Sequence, residues 1–292
     1  MIRILLDIKG GDHPEENLKA IELMQGKHDD LEIVPVDGSG VQEPLTAEDA
    51  AMRAGMSDSI YESLIKLKSG EYDGFVSMGD TRDLMIGVMN LIGLQEGVVK
   101  PALCPIVPTL TRGVVGVCDS GAVMKVTPEQ LLQYAKLGSE FISRMTGKKN
   151  PRVALLNVGI KENKGDELHR EAYKLLKAEQ SINFAGNVEA MNFNSGEYDL
   201  IVSDGFSGNV MLKSAEGVIE TVLTRYGKYI PKEDLELMDY RNCASAAVLG
   251  TRHLIIKVQG FGDRTALVSA IGRAYQTAKN NLGNRSINSF LN

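Results

Sequence analysis

The sequence contains no Trp, and only 5% of its 292 residues are aromatic. Proteins that bind single-stranded nucleic acid stack its bases on aromatic side chains, so the composition does not favour this class. Basic residues are not in excess either, because 32 Lys and Arg against 38 Asp and Glu give a formal net charge of -6. The sequence therefore also argues against a general binder of the phosphate backbone, and no nucleic-acid partner is expected.

Cysteine and histidine are scarce as well. The three cysteines, Cys104, Cys118 and Cys243, are odd in number and form no close pair, which argues against a disulfide framework or a zinc-thiolate cluster. The 4 histidines show neither HExxH nor another paired spacing, so no metal site is expected. This cysteine usage is typical of a protein of the reducing cytosol.

Long hydrophobic runs are absent too. No segment approaches the run of about 18 uncharged apolar residues that a membrane-spanning helix needs. The N-terminal sequence MIRILLDIKGGD lacks the cleavage pattern of a signal peptide. We therefore expect a cytoplasmic protein that neither spans a membrane nor is secreted.

What the chain does contain is an alternation of strand-length apolar runs with longer segments of helical period. This alternation is typical of a parallel sheet covered by helices, which places the chain in the α/β class. Hydrophobic residues make up 43% of the chain, enough for one large core or two modest ones. We expect one α/β unit over residues 1–292, with a weak boundary at the polar segment 146–152 that divides it into two lobes.

The same patterns predict the individual elements. Segment 127–145 is the clearest helix, because Thr127 suits an N-cap, Pro128 suits the first turn, and apolar residues follow on one face. Further helices are predicted at 164–177, 208–230 and 263–282. Strands are predicted at 2–7, 31–37, 74–77, 102–108, 113–118, 153–157, 199–203 and 253–258.

Ligands of open α/β sheets bind at the carboxyl ends of the strands, so the polar segments that follow the predicted strands are the candidate sites. Two glycines in the first segment let backbone amides approach an anion, while a lysine and a histidine can donate hydrogen bonds. An ordinary strand-to-helix turn is the alternative. The residues are Asp7, Lys9, Gly10, Gly11, Asp12 and His13.

The second segment, 77–83, offers hydroxyls and amides at a predicted helix start, an arrangement that suits phosphate. Simple N-capping by Asp80 or Thr81 explains the same residues equally well. The candidates for phosphate or substrate binding are Ser77, Gly79, Asp80 and Thr81.

The third and fourth segments follow the strands predicted at 153–157 and 199–203. In the third, Lys164 can hold a phosphate or protonate a leaving group beside Gly165, although most loop lysines are only solvated charges. The fourth forms a turn into a long helix and leaves room for a ligand beside its backbone, although a capped helix start has the same pattern. Its residues are Asp204, Gly205, Ser207, Gly208 and Asn209.

Two other chemistries are disfavoured by the motifs. Gly205 and Ser207 have the spacing of a GxSxG nucleophile elbow, but Asn209 stands where the last glycine is required. A GxGxxG fingerprint after the first strand is missing, which argues against a nicotinamide cofactor. Anion and phosphate chemistry remains.

Taken in chain order, short motifs over nearly the whole chain resemble those of the PlsX-type phosphate acyltransferases. Each motif is short, but their order and spacing are specific. They are GGDH at 10–13, AMRAGMSDS at 51–59, GFVS at 74–77, KPALCPIVPT at 100–109, PEQLLQYAKLGS at 128–139, LLNVG at 155–159, KGDEL at 164–168, GNVEA at 186–190 and DGFSGNVMLK at 204–213.

This resemblance implies an enzyme that forms acyl phosphate from an acyl carrier protein thioester and inorganic phosphate, for fatty acid and phospholipid synthesis. It implies a three-layer α/β/α sandwich with a mostly parallel sheet, like phosphotransacetylase and isocitrate dehydrogenase, and a homodimer with a cleft between lobes. Lys164 and Asn209 match the catalytic lysine and asparagine of the family. The resemblance implies no metal or organic cofactor. It does imply a peripheral contact with the inner face of the membrane.

Several positions depart from the family pattern. Lys9 replaces a methionine in the sequence DIKGGDH at 7–13, and Asp80 and Arg82 replace Asn and Gly in the sequence SMGDTRD at 77–83. Two alternatives therefore stay open. One is a paralogue that makes a short acyl phosphate such as acetyl phosphate from acyl coenzyme A or from a thioester on Cys243, and the other is a non-catalytic paralogue that binds acyl carrier protein.

Overall fold

The computed structural model describes residues 1–41, 46–239, 243–260 and 262–282. The chain forms two compact units. Unit 1 comprises Met1–Pro101 and Ala244–Asn292, and unit 2 comprises Ala102–Cys243. The boundary expected at 146–152 lies inside unit 2, because the strands on both sides of this polar segment belong to the same sheet. A single functional unit over the whole chain stays a prediction.

Strands and helices mostly alternate along the chain. The strands are β1 (Ile2–Asp7), β2 (Leu31–Val36), β3 (Gly74–Ser77), β4 (Ala102–Pro108), β5 (Val114–Cys118), β6 (Arg152–Leu156), β7 (Asn183–Val188), β8 (Leu200–Val202), β9 (Ser245–Leu249) and β10 (Ile255–Val258). The helices are α1 (Asn17–Met24), α2 (Ala47–Arg53), α3 (Asp58–Lys68), α4 (Thr81–Gly87), α5 (Pro128–Thr146), α6 (Glu167–Ala178), α7 (Gly205–Tyr226), α8 (Lys232–Met238) and α9 (Arg264–Leu282).

Each unit is built on five of these strands. In unit 1 the order is β2-β1-β3-β10-β9, and the neighbours are parallel except that β9 runs antiparallel to β10. In unit 2 the order is β4-β5-β8-β6-β7, and only the pair β4 and β5 is antiparallel. The predicted α/β class with mostly parallel strands is confirmed. In each unit four strands therefore end at the same edge of the sheet.

All eight strands predicted from the sequence are present, with bounds that agree to within two residues. β7 and β9 were not predicted. β7 has the sequence NFAGNV, in which a glycine and two asparagines replace the apolar run that marks a buried strand. β9 has the sequence SAAVL, whose small residues carry little strand propensity.

Helix α5 follows its sequence prediction closely because both of its ends are encoded locally. Thr127 accepts a hydrogen bond at Oγ1 from the amide of Gln130 at 3.3 Å, and Gln130 Oε1 accepts one from the amide of Thr127 at 2.9 Å. This reciprocal capping box satisfies two amides that the helix leaves unpaired. The helix is terminated by Gly147, which follows its last residue and whose φ of 75° is a left-handed conformation that glycine adopts without strain.

Among the helices that the structure describes, none combines the length and the apolar character needed to cross a membrane.

Asp199 joins the start of β8 to the start of β6 through a partly shielded ion pair. Its carboxylate, in a residue only 3% exposed, accepts hydrogen bonds from Lys148 Nζ at 2.5 Å and from Arg152 Nε at 3.0 Å. Burial by itself raises the pKa of Asp199, but the hydrogen bonds from Arg152 and Lys148 outweigh it and hold that pKa at about 2.

We expect Asp199→Asn to lower the free energy of unfolding at pH 7 by about 1–2 kcal/mol, because both partner cations are partly exposed and solvent weakens the pair. A lowered pKa stabilises the fold above the pKa of the unfolded chain, so the difference from the native protein should shrink as the pH falls from about 4 towards 2. Urea unfolding at pH 7, 4 and 2.5 measures this. A difference that stays constant over that range would contradict the ion-pair explanation.

Candidate functional site

In unit 1 the ends of β1 and β3 are joined by Asp7. This buried carboxylate accepts hydrogen bonds at Oδ1 from the amides of Lys9 and Gly10, both at 3.0 Å, and at Oδ2 from Ser77 Oγ at 2.7 Å. Ser77 Oγ in turn accepts a hydrogen bond from the amide of Gly79 at 2.9 Å. The predicted residues of the first two segments are thus brought together, and several of their amides are used to shape the loops themselves.

The two loops approach each other closely at Gly10. A Cβ at Gly10 would lie 2.4 Å from the backbone nitrogen of Gly79 and 2.6 Å from Asp7 Oδ2. Backbone atoms cannot move away as the end of a flexible side chain can, so only glycine fits here without shifting one of the strand ends.

We therefore expect Gly10→Ala to destabilise the fold by about 1–3 kcal/mol, because the overlap displaces the loop. Gly217→Ala is a matched control, since nothing lies within 4 Å of a Cβ at this exposed position of α7. The control should stabilise the protein by about 0.5–1 kcal/mol, since Ala favours helix over Gly. Urea unfolding measures both variants, and equal effects of the two would refute this view of the loop.

The rest of the first segment turns along the end of β10. Gly11 has a φ of 84°, and a Cβ there would lie 3.1 Å from the carbonyl oxygen of Gly260. That carbonyl accepts a hydrogen bond from the amide of Asp12 at 2.8 Å. His13 is exposed, with Nδ1 3.5 Å from Glu15 Oε1. Asp12 and His13 thus lie at the carboxyl edge of the unit 1 sheet, and anion binding by them stays a prediction.

Helix α4 begins at the second segment with the capping that the sequence offered as an alternative. Asp80 Oδ1 accepts hydrogen bonds from the amides of Arg82 at 2.8 Å and Asp83 at 3.2 Å, and Thr81 is the first helical residue. The exposed carboxylate of Asp80 adds negative charge to this edge, while the exposed Lys9 and Arg82 add positive charge. A phosphate-binding role for Asp80 and Thr81 stays a prediction.

In unit 2 a buried carboxylate that the sequence analysis did not select organises the end of β5. Burial raises the pKa of Asp119, and the backbone amides that donate to its carboxylate oppose that rise. The sequence signal that could have identified Asp119 is its position directly after a predicted strand, at the start of the sequence DSGAV. The five donors are the amides of Leu103 at 2.9 Å, Ser120 at 2.7 Å, Gly121 at 3.2 Å, Ala122 at 3.1 Å and Val123 at 2.7 Å.

The start of α7 packs directly on this turn. Asp204 caps the helix, with Oδ1 accepting a hydrogen bond from the amide of Ser207 at 2.9 Å. A Cβ at Gly205 would lie 2.6 Å from Asp119 Oδ2, and one at Gly208 would lie 2.1 Å from the carbonyl oxygen of Asp119. The helix therefore begins three residues before the predicted start at 208, because Asp204 supplies the cap and the two glycines permit the close approach.

Asn209 lies on the first turns of α7 and also contacts the end of β5. Its Nδ2 donates a hydrogen bond to the carbonyl oxygen of Ser120 at 3.2 Å, and the side chain is exposed. An amide group has two N–H donors and one acceptor oxygen. The hydrogen bond to Ser120 uses one N–H of the Asn209 amide and holds the amide in place. A side-chain amide held in this way is suited to orienting a substrate.

Lys164 lies on the exposed loop between β6 and α6. Helix α6 begins at Glu167 rather than at the predicted 164, because Asp166 Oδ1 accepts a hydrogen bond from the amide of His169 at 3.1 Å and caps the helix. The hydrogen bond with His169 lowers the pKa of Asp166. Gly165, with a φ of 86°, makes the turn between the lysine and this cap.

The predicted residues thus fall into two groups, each at the carboxyl ends of the parallel strands of one unit. In unit 2, β6 and β8 are parallel neighbours, so the loop with Lys164 and the helix start with Asn209 follow adjacent strand ends. A lysine ammonium and an asparagine amide at one edge can hold an anion, donate hydrogen bonds to a carbonyl oxygen and supply a proton.

Known proteins are similar to this chain over most of its length. The family described as "Fatty acid synthesis protein" matches residues 36–285. A protein named "Phosphate acyltransferase" from Staphylococcus aureus (strain bovine RF122 / ET3-1) is 31% identical over 97% of this chain and 96% of its own length. A protein of the same name from Staphylococcus haemolyticus (strain JCSC1435) is 33% identical over 94% of both chains.

Solved structures share the fold at low sequence identity. EutD phosphotransacetylase from Staphylococcus aureus superimposes with a TM-score of 0.62 at 15% identity, over 96% of this chain and 94% of that one. A branched-chain phosphotransacylase from Enterococcus faecalis V583 gives 0.65 at 15% identity, over 95% and 99%. Isocitrate dehydrogenase from Methylococcus capsulatus gives 0.53 at 12% identity, over 96% and 88%. The predicted resemblance to the phosphotransacetylase and isocitrate dehydrogenase fold is confirmed.

The match of the family over most of the chain and the near full-length identity to curated relatives agree with the motifs found in the sequence. The chain therefore belongs to the fatty acid synthesis protein family of PlsX-type phosphate acyltransferases, and it is an acyltransferase.

Proposed function

We propose that the protein transfers the acyl group of an acyl carrier protein thioester to inorganic phosphate and so forms acyl phosphate for fatty acid and phospholipid synthesis. The observation that carries the proposal is the placement of Lys164 and Asn209 after adjacent strand ends, in a chain 31% identical over 97% of its length to a phosphate acyltransferase. The short acyl phosphate and the non-catalytic role are the competing outcomes of the test.

The reaction sets three requirements. A phosphate oxygen forms a bond to the thioester carbonyl carbon, the carbonyl oxygen becomes an oxyanion, and the carbon–sulfur bond then breaks to release a thiolate. The site must hold one anion, stabilise a second and supply a proton to the sulfur. Aligned phosphate is itself a competent nucleophile, so the proposed reaction needs no further cofactor.

Lys164 and Asn209 meet these requirements with complementary groups. The ammonium of Lys164 donates its proton to the departing thiolate, and its positive charge attracts the phosphate beforehand. Asn209 donates one amide N–H to Ser120, which leaves the second N–H to orient the phosphate or the carbonyl oxygen. Because the Asn209 amide is already held by this hydrogen bond, its side chain loses little conformational entropy when the substrate binds.

The unit 1 edge supports the proposal through its charge. The exposed Asp80 disfavours a nearby anion, but its carboxylate already accepts hydrogen bonds from two amides at the start of α4. Lys9 and Arg82 are exposed at the same edge and offset its charge. We propose that the loops of Asp7, Gly10, Gly11 and Ser77 shape this edge for phosphate.

Partners and location are further parts of the proposal. The family resemblance supports acyl carrier protein and phosphate as substrates, a homodimer as the assembly, and the cytoplasm with a peripheral contact at the inner face of the membrane as the location.

The deciding experiment follows phosphate-dependent release of free thiol from long-chain acyl carrier protein, with acyl phosphate trapped by hydroxylamine. A parallel arm replaces the substrate with acetyl coenzyme A, and Lys164→Ala is the control. Turnover with the carrier protein that is lost in the control supports the proposal. Faster turnover with acetyl coenzyme A would replace it with the short acyl phosphate activity, and silence of the folded protein in both arms would favour the non-catalytic role.

A further inference from the structure

We propose that Asn157 and Asn187 are positioning residues that hold the loop of residues 158–165, and with it Lys164, in the geometry needed to protonate the leaving thiolate. This inference rests on the proposed function for the role of Lys164. Neither asparagine was selected as a site residue from the sequence, although both lie within motifs of the family resemblance.

The two asparagines form a buried polar pair between neighbouring strands. Asn157 follows the last residue of β6, and Asn187 lies on β7, where they are 8% and 3% exposed. Asn157 Nδ2 donates a hydrogen bond to Asn187 Oδ1 at 3.2 Å. Burying an amide side chain costs free energy unless its hydrogen bonds are replaced, so such a pair persists only where it makes specific contacts.

Those contacts lead to the loop that carries the lysine. Asn157 Nδ2 donates its second hydrogen bond to the carbonyl oxygen of Lys164 at 3.2 Å, and Asn157 Oδ1 accepts one from the amide of Val158 at 2.8 Å. Asn187 Nδ2 donates to the carbonyl oxygen of Lys161 at 3.0 Å. The pair therefore holds the loop at its first residue, in its middle and at Lys164 itself.

Two glycines bring the side chain of Lys164 into the same arrangement. A Cβ at Gly159 would lie 3.1 Å from Cγ, 3.3 Å from Cδ and 3.4 Å from Cε of Lys164, so the aliphatic part of the lysine lies along this buried glycine. A Cβ at Gly165 would lie 2.6 Å from Asn157 Oδ1. Backbone and side chain of the lysine are thus both constrained close to the asparagine pair.

The other contacts of the loop are local or lie at the surface. The amide of Lys164 donates a hydrogen bond to the carbonyl oxygen of Lys161 at 3.1 Å, and the exposed Arg170 donates one from Nη1 to the carbonyl oxygen of Gly165 at 2.6 Å. Residues 160–164 are all exposed, and the ion pair of Glu162 with Lys177 at 2.9 Å lies at the surface with both side chains 58% exposed. Exposed ion pairs contribute little to holding a loop. Since catalysis by a positioned group depends strongly on its placement, release of the asparagine contacts should act on the rate.

The test replaces Asn187 by Asp, which keeps the acceptor oxygen for Asn157 and removes the donor to Lys161. We expect kcat with acyl carrier protein to fall about 10- to 100-fold while the KM for the carrier changes less than about threefold. Asn183→Asp is the matched control on the same strand, where Nδ2 donates to the carbonyl oxygen of Asn150 at 3.4 Å, and its kcat should stay within about twofold. Asn187→Ala and Asn183→Ala repeat the comparison without a buried charge, should the aspartate variant not fold.

Two further measurements separate positioning from general damage. In a Lys164→Ala background, Asn187→Asp should cause no further loss of the residual rate, because the group that it positions is gone. Hydrogen exchange of amides 158–165 should become faster in Asn187→Asp and stay unchanged in Asn183→Asp.

These measurements decide whether the asparagine pair positions Lys164. A loss of kcat that is the same with and without Lys164, or unchanged exchange of the loop, would overturn the inference. If the native protein shows no turnover, the proposed function fails, and the exchange measurement alone then tests whether the asparagine pair holds the loop.

Discussion

Replacement of Lys164 by Ala should lower kcat for acyl phosphate formation by about 10²- to 10⁴-fold, the range expected for loss of a general acid. The thiolate of the carrier would then leave without a positioned proton. The fold should be unaffected, because the side chain is exposed and its loss leaves no buried group without a partner. Steady-state kinetics and a thermal unfolding curve on the same preparation measure both parts.

Lys164→Arg distinguishes the two roles that this lysine can have. Arg keeps the positive charge but does not give up its proton near neutral pH. If Lys164 acts as an acid, the Arg variant should be nearly as slow as the Ala variant. If Lys164 only attracts phosphate, the Arg variant should regain most of the rate. Native kcat in Lys164→Ala would remove this residue from the mechanism altogether.

Asp119→Ala should cause the largest loss of stability, about 3–5 kcal/mol, because its buried carboxylate accepts hydrogen bonds from five backbone amides. Without the carboxylate, those donors lose their partner at the point where Gly205 and Gly208 bring α7 against the turn. Activity should be lost together with stability, since Asn209 donates to the same turn. Urea unfolding and kinetics measure the two effects.

Asp80→Ala is the matched control for this carboxylate. Asp80 also follows a strand and also accepts hydrogen bonds from backbone amides, but it is exposed. Water can replace the lost acceptor there, so the expected cost is only about 1 kcal/mol. If the two variants lost the same free energy of unfolding, burial would not be the reason why Asp119 contributes to stability.

The sequence predicted the elements whose signals are local. The strand that ends at Asp7 is an apolar run interrupted only by Arg3, and α5 carries its own capping box at Thr127 and a glycine after its last turn. Helices α6 and α7 were predicted, but their first residues were not, because the caps Asp166 and Asp204 lie in Gly-rich segments with several possible starts. β7 was not predicted, because it is a strand through its pairing with β6 and not through its amino-acid composition.

By itself, the sequence determined the α/β class, the strand ends that carry polar residues and the family, because alternating periods and ordered motifs are properties of the chain alone. Only the tertiary structure decided how those residues meet. The hydrogen bond from Ser77 to Asp7 spans 70 positions and the one from Asn157 to Asn187 spans 30. Such contacts depend on which strands become neighbours, and no local pattern encodes that choice. For the same reason, the sequence does not distinguish Asp119, Asn157 and Asn187 from other polar residues. Only the tertiary structure shows the backbone amides and carbonyls that contact their side chains.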